Sequence, residues 1–274
     1  MPGSGDNAIR IPVSNPPAEV AGRLPVRVSS ASQQHTSSRR SGPGRIDGEP
    51  EEVPPTMTSL APRRPFYPQP RLILFDLDNT ICDYRTARIT RTRHAFSPWF
   101  QAEGDLEEAV HAAMQYPTEG DEHLAEVLAD YGIDASGVAE LARQRFVEDR
   151  FRGLRLFEEA LDAIAVISEV ASVGLVTNGP STIQRAKIEM FRLEARFPVI
   201  VVSEEVGSWK PDPRIFAIAL ERSGHRPEDA IYVGDSADHD IPGARAAGMR
   251  SVWVNRWGMT WPGGEEPDAS IATL

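Results

Sequence analysis

Two aspartates, Asp76 and Asp78, stand two residues apart in FDLDNT (75–80), directly after the apolar run RLILF. A carboxylate set at the end of a buried run costs on the order of several kcal/mol unless something compensates it. A second acidic segment, VGDSADHD (233–240), repeats the arrangement, with Asp235 closing an apolar run and Asp238 and Asp240 just beyond. One aspartate at a strand end has an ordinary explanation, capping of the following helix. Acids at two strand ends, joined by Thr177, Asn178 and Lys210 at two others, exceed it.

Crowded carboxylates repel, and each alone would have a raised pKa. A hard divalent cation removes the conflict, and oxygen donors without a histidine–cysteine cluster suit Mg²⁺ rather than zinc. Mg²⁺ held by few carboxylates keeps positions for water and phosphate oxygens. Together with the Thr177 hydroxyl and the Lys210 ammonium, such a site surrounds an anion with positive charge and donors. Phosphoryl transfer asks for this, because the protein's work there is positioning and charge stabilisation. Of the 29 basic residues only Lys187 and Lys210 are lysines, so a lysine can mark a place where a compact ammonium is wanted. Lys187, on the helical stretch after Thr177, reads as a surface or packing residue. Cys82 reads as a small apolar filler.

These residues need elements to hold them. Apolar runs rich in β-branched residues occupy 71–76, 172–177, 198–203, 230–235 and 250–255. Each is apolar almost throughout, as parallel strands covered on both faces are. Helix-like patterns at 181–193, 213–223 and 241–247 alternate with them, which implies βαβ units. The expected fold is therefore α/β, a Rossmann-like parallel sheet in three α/β/α layers. In such sheets ligands bind at the carboxyl ends of the strands, where the candidate residues fall. Nearly a hundred residues part the first run from the second, too many for a loop. Their helical spacing predicts an inserted helical cap over 84–155, with the core formed by 71–83 and 156–262 and a C-terminal tail over 263–274. Residues 1–70 hold 13 of the 23 prolines and little apolar periodicity, and are expected to be a disordered extension. Met57 offers a second possible start.

A net charge of −11 argues against nucleic-acid binding and against anionic membranes. No apolar run reaches the roughly 18 residues that span a bilayer, and the N-terminus lacks a secretory signal's apolar core. The single cysteine excludes a disulfide framework. A cytoplasmic location is the expectation. Nothing in the sequence fixes an oligomeric state.

DLDNT (76–80), VTNG (176–179), KPDP (210–213) and VGDSADHD (233–240) resemble, in order, the four motifs of the haloacid dehalogenase-like hydrolase superfamily. The resemblance covers about residues 71–260, and the insert is similar to the α-helical cap of its phosphatase subgroup. It implies an Mg²⁺-dependent phosphatase acting on a small phosphorylated metabolite. In it, Asp76 is the nucleophile and Asp78 the general acid, then base. Thr177 and the Asn178 amide hold the phosphate, and Lys210 steadies both nucleophile and phosphoryl group. The implied metal set is Asp76, the Asp78 backbone carbonyl, Asp235 and Asp240. Asp238 matches less well and reads as surface charge, and His239 as a bystander.

Three rivals share the fold: a 2-haloacid dehalogenase, a phosphotransferase or mutase, and a non-catalytic binding module. Halide leaves without protonation, so dehalogenation has no use for an acid at Asp78. The intact acidic set argues against a mere binding module. In the cap, Arg85, Arg88, Arg91, Arg93 and His94 follow the first motif. Such residues are ordinarily solvated helix surface; contact with a negatively charged substrate tail is the other reading.

Overall fold

The computed structural model describes residues 68–116 and 123–274. The expectation for 1–70, save its last three positions, lies outside them. Strands β1 (Leu72–Phe75), β2 (Ser172–Thr177), β3 (Val199–Val202), β4 (Ala230–Gly234), β5 (Arg250–Val254) and β6 (Ala269–Ile271) form one sheet in the order β3-β2-β1-β4-β5-β6. All its pairings are parallel. The expected Rossmann-like α/β architecture with an inserted helical cap is what the chain adopts.

Successive residues of a strand face opposite sides. Leu72 and Leu74 thus enter one apolar cluster with Val176, Val201, Phe216 and Tyr232, while Phe75 enters another with Leu175, Ile164 and Val233. Both faces are covered, which is why these strands read as unbroken apolar runs. The sixth strand corrects the expected tail. It pairs with β5, and Asp268 just before it accepts from the Ser251 amide at 2.8 Å.

Helices α1 (Tyr84–Phe96), α2 (Glu103–Met114), α3 (Leu124–Asp130) and α4 (Val138–Glu148) make the cap. They have an apolar core of their own, built on Phe96, Val110, Leu124, Leu128 and Phe146. The two chain crossings between cap and core run side by side. The Asp83 amide donates to the Arg155 carbonyl at 2.8 Å, and Cys82 bridges Leu156 in antiparallel fashion. Asp83 also caps α1 by accepting from the Thr86 amide at 3.1 Å, and pairs with Arg155 at 3.1 Å.

The sheet's helices are α5 (Ala160–Ser168), α6 (Ser181–Met190), α7 (Ser203–Val206), α8 (Pro213–Ser223) and α9 (Asp240–Ala246). The bounds of α8 follow from its ends: Asp212 caps it, Pro213 occupies its first turn, and Gly224 closes it at φ 69°.

Candidate active site

Strands β1 and β4 are direct neighbours, with Phe75 opposite Val233. Their register brings the two acidic segments to one edge, and the Asp76 amide donates to the Val233 carbonyl at 2.9 Å. Asp76 is buried, and Asp240, the first residue of α9, is wholly buried. Carboxylate oxygens of Asp76, Asp235 and Asp240 all lie within 4.8 Å of one another. The Asp240 carboxylate also accepts from the Ser236 amide at 2.9 Å. It can come this close to β4 because residue 234 is glycine: a Cβ there would overlap the Asp240 carboxyl. At Gly243 a Cβ would stand 2.9 Å from the Pro211 Cα, so a second glycine lets α9 lie against the Lys210 loop.

Lys210 completes this half of the site. Its Nζ lies 2.5 Å from Asp76 and 2.7 Å from Asp240, and donates to the Tyr232 hydroxyl at 2.9 Å. The Tyr232 hydroxyl in turn donates to the Val176 carbonyl at 2.9 Å. The Asn178 side chain clasps the Lys210 backbone in both directions: it accepts from the amide at 2.8 Å and donates to the carbonyl at 3.0 Å. Trp253, to which the sequence assigned no role, donates its indole N–H to the Asp235 carbonyl at 2.8 Å and so steadies the end of β4.

Three carboxylates here share one ammonium. Burial pushes Asp76 up to about 7; Lys210 opposes the shift, and Asp240 and Asp78 add to it. Burial, then the charges of Asp240 and Asp76, push Asp235 well above the usual carboxylate range. Burial disfavours the Lys210 ammonium, yet Asp240 and Asp76 outweigh it and hold its pKa well above ordinary lysine. Hard oxygen donors, converged and carrying excess negative charge, fit a divalent cation of the magnesium type.

Asp78 faces another way. The chain leaves the sheet at Asp76 and turns, and the two acids have different partners. The Asp78 carboxylate accepts from Lys187 Nζ at 2.6 and 2.8 Å, from Gln184 Nε2 at 3.1 Å and from the Cys82 thiol at 3.3 Å. This carboxylate is not one of the converged set of Asp76, Asp235 and Asp240, though its charge acts on Asp76 and Asp235. Lys187 corrects the surface or packing reading. It is 3% exposed, ion-paired, and lies 4.3 Å from the centre of the Tyr84 ring. Burial works against its ammonium, and Asp78 more than offsets this, raising its pKa. Gln184 links Thr177 to Asp78, since its amide also donates to the Thr177 hydroxyl at 2.6 Å. The available signals were the scarcity of lysine and the i, i+3 spacing that puts Gln184 and Lys187 on one face of α6.

Asp78, Lys187 and Asn178 line one side of a cavity of about 470 Å³, and the cap supplies Arg91, Arg143 and Arg150 to the other. The arginine-rich start of the cap is thereby sorted. Arg85 stacks on Trp257, Arg88 donates to the Ala113 and Tyr116 carbonyls, and Arg93 pairs with Glu107. His94 meets Glu148 at 3.1 Å. Arg91 is buried at the cavity wall.

A family model described as haloacid dehalogenase-like hydrolase matches residues 73–254. The chain belongs to this family. It is 37% identical over 192 residues to a phosphoserine phosphatase of Thermus thermophilus, a match covering 64% of this chain and 73% of that one. It is 31% identical over 196 residues to a glyceraldehyde 3-phosphate phosphatase of Methanopyrus kandleri, covering 68% and 84% of the two chains. A solved structure of the HAD-hydrolase YfnB of Bacillus subtilis, bound to magnesium, superposes with a TM-score of 0.60 at 25% identity, over 75% of this chain and 95% of that one. This haloacid dehalogenase-like hydrolase is an enzyme of the phosphatase type.

Proposed function

We propose that the enzyme removes phosphate from a small phosphomonoester, with magnesium as cofactor and Asp76 as nucleophile. The observation that carries this reading is the Asp76 carboxylate, buried at a strand end, in contact with the Lys210 ammonium and converged with Asp235 and Asp240. Asp76 attacks phosphorus, and the bond to the ester oxygen breaks as the new P–O bond forms. Asp78 gives the departing alkoxide its proton and then takes one from the water that releases phosphate from Asp76. Thr177 and the Asn178 amide hold the phosphoryl oxygens, and Lys210 balances charge on nucleophile and phosphoryl group. Asp76, Asp235, Asp240 and the Asp78 carbonyl would hold the metal, which supplies neutralising charge when bound.

The names of the phosphatase relatives support a small phosphorylated metabolite as substrate. Purified enzyme is expected to release phosphate from p-nitrophenyl phosphate with Mg²⁺ and to stop with EDTA. Halide release from 2-haloacids without metal would establish dehalogenation instead. Transfer of the phosphoryl group to an added alcohol in preference to water would establish a transferase.

A further inference from the structure

Arg91 is 5% exposed and borders the cavity. Its Nε donates to the Phe146 carbonyl at 3.1 Å, and its guanidinium lies 4.0 Å from the centre of the Phe146 ring. Among the described residues no carboxylate pairs with it. A buried charge without a counter-ion is costly, and native structures pair such groups. The neighbouring arginines of the same helix show the contrast: Arg93 has Glu107, and Arg88 has two carbonyls. Arg91 borders the cavity that also reaches Asp78 and Asn178, so a molecule resting on those two residues also meets this cation. On the same wall stand Arg143 and the exposed Arg150 of the α4 end.

The geometry points to a subsite for a second anionic group of the substrate, a carboxylate a few bonds from the phosphoryl oxygen, received by Arg91 with Arg143 and Arg150 beside it. The inference rests on the phosphatase reading and narrows it to small phosphorylated carboxylates. With Nε committed to Phe146, the two terminal nitrogens of Arg91 remain, and parallel N–H donors match the two oxygens of a carboxylate. One uncompensated buried cation calls for one negative charge, which a carboxylate carries and a second phosphate exceeds at neutral pH.

The test is a ratio of kcat/KM between matched esters, with Mg²⁺ present: 3-phosphoglycerate against glycerol 3-phosphate, and O-phosphoserine against O-phosphoethanolamine. Wild type is expected to favour the carboxylated member of each pair by about tenfold to hundredfold, the range of a charge-assisted hydrogen-bond pair. R91M should bring both ratios close to one, and R91K should leave an intermediate value because it keeps the charge without the fork. Arg91 also packs on Phe146, so R150M provides a change at an exposed position; its ratios should fall by about threefold, as expected of a screened contact. Equal use of both members by wild type, or ratios unchanged in R91M and R150M, overturns the subsite alone. Wild type that hydrolyses none of the four esters nor p-nitrophenyl phosphate overturns the phosphatase reading and the subsite with it. A preference for propane-1,3-diol bisphosphate over 3-phosphoglycerate, lost in R91M, overturns the carboxylate in favour of a second phosphate.

Discussion

Where β1 meets β4, three carboxylates share one ammonium, whereas along the cavity one carboxylate, Asp78, stands with two buried cations, Lys187 and Arg91. Across the two regions, Asp76, Asp240, Lys210, Lys187 and Arg91 are each buried. The first lacks positive charge and is built of hard oxygen donors, which suits a divalent cation. The second has charge to spare on its cap side, which suits an anion. Lys210 and Lys187 divide along the same line: one bridges two acids of the trio, the other closes on a single acid that the trio excludes. The two aspartates of FDLDNT, two residues apart in sequence, thus enter different electrostatic neighbourhoods. In the function proposed above, metal and phosphate cover the first and the second meets the leaving group.

The sharpest way to break this division is at Asp76. D76N should lower phosphate release by at least about 10⁴-fold, the scale seen when a nucleophile is removed, with the far-UV circular dichroism of wild type. D78N should abolish turnover of alkyl phosphates as well. Near-wild-type rates in either variant would dissolve the assignment of distinct tasks to the two acids.

Lys187 offers the next largest effect. Removing one member of a buried pair leaves the other charged and unpartnered, at a cost of about 3 kcal/mol. K187M is expected to lose about that much in urea unfolding, and turnover should fall because Asp78 loses the group that orients it. The double variant D78N/K187M should recover part of the stability lost in K187M. A K187M chain as stable as wild type would show that the pair only decorates the cavity wall.

Much of this could be read from the sequence, and the limits have physical causes. The strands β1 to β5 announce themselves because both faces of the sheet are covered, and the acids at their ends declare the site's edge. β6 is three residues long, too short for any pattern to stand out. Lys187 and Gln184 look like ordinary residues of an amphipathic helix until β1 and α6 are packed together. Arg85, Arg88, Arg91 and Arg93 are one residue type on one helix. Only the groups packed against each reveal that, among the described residues, Arg91 has no acid while Arg93 has Glu107. Trp253 is a similar case, since the carbonyl it serves, that of Asp235, lies just past a different strand.

The acid-rich half also predicts a pH dependence of stability. Asp76, normally near 3.8, is raised to about 7 in the fold. Between about pH 4 and 7 the folded chain therefore keeps a proton that the unfolded chain has released, and stability falls as pH rises through that window, by up to about 1.4 kcal/mol per unit. Metal-free D76N should lack this contribution, so its Tm should gain on that of wild type from pH 4 to 7. Magnesium at neutral pH should raise the Tm of wild type more than that of D76N. A difference in Tm between the two proteins that ignores both pH and magnesium would show that the trio is not short of positive charge.

The smallest effect concerns the joint between the two regions. Asp83 caps α1 and pairs with Arg155 across the crossing, but Arg155 is mostly exposed, so the ion pair contributes little beyond the cap. D83A is expected to cost about 1 kcal/mol, the usual worth of an N-cap, measured by urea unfolding. Its kinetic consequence should be selective. Loosening the cap leaves the trio and Lys210 in place on the sheet but frees Arg91 and α4 to shift relative to Asp78. KM for a carboxylated ester should therefore rise while hydrolysis at saturation changes little. A variant that loses kcat instead, with KM intact, would mean that the crossing positions the acids of β1 themselves, and that the two halves of the site are mechanically one.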